Sequence, residues 1–112
     1  MKIDVRKKGN ISIVSMAGRM VIGEGDVLLR DTMRELVERG DRLFVFDMEE
    51  VNWLDSGSVG EVVACRKRVV QLGGDVKLVL QGRAHDVFTT FSLNKVFEIV
   101  PDVETALASF AS

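Results

Sequence analysis

Val51-Asn52-Trp53-Leu54-Asp55-Ser56-Gly57-Ser58-Val59-Gly60 is the stretch on which the reading of this chain turns. It leads from an apolar segment into a helix start. Ser58 and Glu61 have the spacing of a capping box, in which a serine hydroxyl accepts a backbone N–H and a glutamate reaches back. Beyond them, Val59, Val62, Val63, Val69 and Val70 supply the apolar stripe of a helix, which Gly73-Gly74 ends. Before them, Leu43 to Phe46 is a short, nearly continuous apolar run, the pattern of a strand buried on both faces. Residues 48–57 then read as a loop leaving the carboxyl end of that strand.

Outward from this centre the chain alternates strands and helices. Ile3 and Val5, then Ile11, Ile13 and Val14, flank Lys8-Gly9-Asn10 as a hairpin would. Gly18, Gly23 and Gly25 punctuate a loop, and Asp26 is positioned to cap a helix to about Arg39, with Leu29, Met33 and Leu36 on one face and Gly40 as its stop. Val76 to Leu80 reads as a further buried strand, 84–91 as a helix, and 96–100 as a short edge strand or irregular segment. Asp102 caps a last helix to Phe110. The pattern implies an α/β fold: a mixed β-sheet of about four strands with helices mainly on one face. Phe44, Phe46, Val62, Val63, Leu78 and Leu80 are the expected core. The 112 residues carry no linker or repeat and are read as a single domain, 1–112.

Composition narrows the function. A net charge of −2 gives no reason to expect direct nucleic-acid binding. Arg66-Lys67-Arg68 fans over about 200° of a helix and makes no basic stripe, and the Arg66 stem is expected along apolar surface. The lone Cys65 excludes an internal disulfide and reads as a half-buried small hydrophobe. The N-terminus lacks a secretory pattern and no segment is long and apolar enough to insert in a membrane, so a cytoplasmic location is expected. His85, the single histidine, reads as a surface residue, and Ser56-Gly57-Ser58-Val59-Gly60 lacks the first glycine of a hydrolase elbow. Asp47, Glu49, Glu50 and Asp55 read as solvated loop charge, with no metal. Gly23-Glu24-Gly25-Asp26-Val27-Leu28 is an incomplete phosphate-loop match, so no cofactor is expected.

The central stretch resembles the signature of STAS domains, named for sulphate transporters and anti-sigma-factor antagonists. In that family an apolar residue precedes Asp-Ser, then come a small residue, glycine, an aliphatic residue and often glycine. Leu54, Asp55, Ser56, Gly57, Val59 and Gly60 fit, and Ser58 stands where glycine is usual. Val14 to Arg19, Gln71 to Gly74, and Phe88 to Phe110 resemble the family's second strand, the end of its second helix and its C-terminal region.

The resemblance to the antagonist branch implies a non-enzymatic signalling protein that acts by partner switching in transcription regulation. Its serine, here Ser56, would be phosphorylated by a partner that is both anti-sigma factor and ATP-dependent serine kinase, and a cognate phosphatase would reset it. Asn52, Trp53, Asp55, Ser56, Gly57, Ser58 and Gly60 would form the partner surface. Antagonists commonly carry an acidic residue after Gly18-Arg19. This chain has Val21 there, with Glu24 and Asp26 nearby. Ser56 is favoured over Ser58 because the capping box engages the Ser58 hydroxyl. Two other readings remain open. One is a STAS accessory subunit of a membrane transport or stress-sensing assembly. The other is a small-ligand or nucleotide-binding module using the loop from Gly23 to Asp26.

Overall fold

The computed structural model describes residues 1–110. β1 (Lys2–Lys8) and β2 (Ile11–Met20) form an antiparallel hairpin around Gly9, whose φ of 62° suits a two-residue turn. There follow α1 (Gly25–Glu38), β3 (Leu43–Leu54), α2 (Ser56–Gln71), β4 (Asp75–Val79), α3 (Gly82–Thr90), β5 (Ile99–Val100) and α4 (Val103–Phe110). The sheet order is β1-β2-β3-β4-β5, parallel from β2 onward. The count is five because the short edge segment pairs as β5. Each of α1, α2 and α3 carries the chain to the next strand in the same direction. Right-handed crossovers taken in one direction place their helices on one face.

That face holds the larger core. Phe44, Phe46 and Leu78 from the sheet meet Leu29, Met33, Val62, Val69 and Phe88 from the helices. Burying each such side chain contributes roughly 1.5–3 kcal/mol. The opposite face is covered by α4, where Ala106 packs with Ile13, Val45, Val79 and Val100. Asp102 caps α4 as expected, its carboxylate accepting the Thr105 N–H at 2.7 Å. The six expected core residues all lie in the larger core, Val63 only partly buried.

Four local expectations are corrected. Residues 48–54 are strand rather than loop. Register shifts at Ser15/Ala17 and Gly18/Arg19 let β2 and β3 stay paired to Met20 and Leu54. The buried residues Met48, Val51 and Leu54 are then three apart, so this half of the strand shows no two-residue alternation. Cys65 is fully buried within the α2 stripe, whereas Val70, turned about 100° from the buried Val69, is exposed. Asp26 does not cap α1. It lies inside the first turn, where its carboxylate accepts the Gly23 N–H at 2.7 Å.

Candidate functional site

β2 and β3 end side by side, with Met20 opposite Leu54. This brings the loop after β2 against the first turn of α2, beyond the carboxyl ends of the parallel strands. Asp55 joins the two. Its Oδ1 accepts the Ser58 N–H at 2.9 Å, its Oδ2 accepts the Ile22 N–H at 2.9 Å, and its own N–H donates to the Met20 carbonyl at 3.3 Å. One carboxylate therefore caps α2 and fastens a neighbouring loop. The Ile22 and Ser58 N–H groups hold its pKa below the ordinary 3.8, since both favour the charged form.

The cap is thus Asp55, not Ser58. Asp55 precedes Ser58 by three residues, the spacing a capping side chain needs, and a carboxylate is a stronger acceptor than a hydroxyl. Ser58 lies within the first turn, fully buried. Its hydroxyl is near enough to the Asp55 carboxylate to help lower that pKa, but is outside hydrogen-bonding geometry. The Asp-x-x-Ser spacing was the available sequence signal. Two substitutions separate the roles. Asp55→Ala is expected to lower the melting temperature clearly, whereas Ser58→Ala should cost less than about 1 kcal/mol because it removes no made hydrogen bond. Thermal melts that rank the two the other way would return the cap to Ser58.

Glu61 does not reach back to the helix start. It is buried between α1 and α2, with Oε1 accepting from Arg30 Nε at 2.8 Å and Oε2 from Arg68 at 2.7 Å. Burial pushes its pKa up, but the hydrogen bonds from the two arginines outweigh burial and leave it below 4.5. A folded pKa below the unfolded one gives stability that is present above about pH 4.5 and lost as pH falls through the folded value. Glu61→Gln is therefore expected to lower stability at neutral pH and to flatten its acid-side decline. Denaturant titrations at a series of pH values test this, and an unchanged acid slope would remove Glu61 from the account. The pairing was invisible in sequence because Arg30 lies 31 residues away. Cys65, beside Glu61, has its thiol pushed up to about 12 by burial and then by that carboxylate, so it stays a protonated thiol at neutral pH.

Ser56 is the exposed first residue of the 16-residue α2. Asn52, Trp53 and Gly60 are also exposed, while Asp55 and Gly57 are half-buried. A Cβ on Gly57 would come within 2.7 Å of Ile22 Cδ1, so glycine lets the Ile22 side chain lie against the α2 start. Ile22 itself remains 67% exposed beside Ser56, a feature the sequence reading missed. The Arg19 guanidinium stacks 5.7 Å from the centroid of Trp53. Near Val21, Glu24 is exposed, whereas Asp26 is buried and engaged with Gly23. The phosphate-like segment forms this loop and the start of α1. His85 is exposed on α3. Among the described residues no three His, Cys, Asp or Glu side chains are placed to hold a metal ion, and no helix is long and apolar enough to cross a membrane.

A five-stranded mixed sheet with an Asp-Ser pair at the head of its second helix makes this a small mixed α/β domain. The family profile of the STAS domain matches residues 2–106, and the chain belongs to that family. No curated protein sequence is significantly similar to it. Solved structures share the fold at low identity. A candidate anti-sigma factor antagonist from Thermotoga maritima is 19% identical, with a TM-score of 0.90 over 98% of this chain and 95% of its own. The Bacillus cell fate determinant SpoIIAA in its phosphorylated form is 14% identical, with a TM-score of 0.76 over 97% of this chain and 99% of its own. A sulfate transporter family protein from Wolinella succinogenes is 15% identical, with a TM-score of 0.79 over 91% of this chain and 85% of its own.

Proposed function

We propose that this chain is a regulatory, non-catalytic interaction domain of the anti-sigma-factor-antagonist kind, switched by phosphorylation of Ser56. The observation that carries this reading is the setting of Ser56. Its side chain is exposed at the head of α2, on a backbone held by the three Asp55 hydrogen bonds, while Ser58 is buried. A kinase can reach the first hydroxyl and not the second. The likeness to SpoIIAA, solved in a phosphorylated form, supports the same reading. In it, the unphosphorylated chain binds an anti-sigma factor that is also a serine kinase, in the cytoplasm. Phosphorylation releases the chain, and a phosphatase restores it. Asn52, Trp53, Ser56 and Gly60 form the surface with Ile22, and Asp55, Gly57 and Ser58 shape it from beneath.

Purified together with its bound partner and supplied with ATP and magnesium, the chain is expected to gain one phosphate, mapped to Ser56 by mass spectrometry. Ser56→Ala should gain none. Phosphate on Ser58, or none on the wild-type chain, would refute the switch. The second outcome would favour a STAS subunit docked permanently in a transport assembly, the reading that the sulfate transporter likeness supports.

A further inference from the structure

We propose that the groove between the end of β3 and α3 is a second docking element, made for an acidic segment of a partner protein that inserts an apolar side chain. The proposal rests on reading the Ser56 surface as a partner interface, which this groove adjoins. The groove encloses about 360 Å³ and is lined by Trp53, Leu54, Val87 and Phe91, with Arg83 and Asp86 at its polar edge. Trp53 and Phe91 are 46% and 55% exposed, unusual for aromatic rings with a core available. Exposed aromatic side chains beside a pocket mark interaction surfaces, and such residues supply most of the binding energy where they are found. Trp53 is three residues from Ser56, within about 11 Å along the chain, so one partner can span both.

Charge selects the occupant. Arg19 stacks on Trp53 and Arg83 lines the groove, and neither makes an ion pair among the described residues. Asp86 offers a single opposing charge, 83% exposed at its side chain. In the groove between α1 and α2, two of the three lining arginines, Arg30 and Arg68, are committed to Glu61, and Glu38 adds a carboxylate beside the third, Arg34. An apolar cleft flanked by two uncommitted guanidinium groups fits a leucine or phenylalanine followed by glutamates or aspartates. Arginine forks suit carboxylates in particular.

The single tryptophan of the chain lines this groove and reports on it directly. Synthetic peptides with one phenylalanine flanked by glutamates should give a saturable change in Trp53 fluorescence. The same peptide flanked by lysines should bind at least tenfold more weakly. Phe91→Ser should abolish the response while melting like wild type, Arg83→Glu should reverse the preference for glutamate, and Leu72→Ser, at an exposed site in the other groove, should change nothing. No saturable response at millimolar peptide, or equal binding of both peptides, would overturn the proposal. These measurements do not involve Ser56. A positive peptide response beside an unphosphorylatable Ser56 would retain the groove and reject the switch, and the converse would do the opposite.

Discussion

Phosphorylation at Ser56 is expected to weaken partner binding more than a hundredfold and to leave the fold in place. A phosphoserine adds a charge of roughly −1.5 to −2. The α2 N-terminus favours that charge by about 0.3–1 kcal/mol, and the Asp55 carboxylate opposes it across exposed, screened surface. Asp55 is expected to keep its bonds to Ile22 and Ser58, because both come from backbone N–H groups fixed by the fold. These opposed local contributions are small beside a domain stability of about 5–15 kcal/mol. The melting temperature should therefore move by no more than about 8 °C. Docking is different. It would strip water from the phosphate against a partner surface matched to Ile22 and Trp53, two exposed apolar side chains. A loss of ~3 kcal/mol there exceeds a hundredfold in affinity. Thermal melting beside titration calorimetry of the phosphorylated chain, with Ser56→Asp as a partial mimic, decides the matter. Unchanged affinity, or collapse of the melt, would mean that no direct electrostatic switch operates.

Gly74→Ala should be the most damaging of the glycine-to-alanine substitutions. A Cβ at this position would sit 2.0 Å from the Arg42 carbonyl oxygen and 2.7 Å from Val69 Cγ1. The first obstacle is backbone at the entry to β3, so no side-chain rotation relieves it. The same carbonyl accepts the Asp75 N–H at 3.0 Å, and the Gly74 N–H donates to Val69. Any shift would loosen both the α2 exit and the start of the β3–β4 pairing. Overpacking of this kind costs about 3 kcal/mol or more, a fall of over 10 °C in melting temperature. Gly60→Ala is the control. It lies on an exposed face of α2 with nothing within 4 Å of the added methyl, so it should stabilise by roughly 0.5–1 kcal/mol. Equal melts for the two variants would show that the Gly74 approach is not tight in solution.

The sequence by itself determined the alternation of elements, the parallel core strand Leu43 to Phe46 and the position of the Asp55-Ser56 pair. These are written in local patterns: unbroken apolar runs, helical spacing and glycine stops, each read within one or two turns of chain. It also carried the family signature, which gave the function expected of Ser56. The tertiary structure alone decided which side chain does which task. Ser58 and Glu61 have capping-box spacing, yet Asp55 takes the cap and Glu61 turns to Arg30 and Arg68. The choice depends on Arg30, which only the packing of α1 on α2 brings near. The extent of β3 was hidden for a related reason. Its pairing past Asp47 relies on two register shifts against β2, each adding one residue in β3 itself, which replace two-residue alternation by burial at every third residue. Ile22 reads as one apolar residue in a loop until the Asp55 carboxylate and the bare Cα of Gly57 place it beside Ser56. Such pairings join residues more than thirty apart, and no pattern local to either partner encodes them.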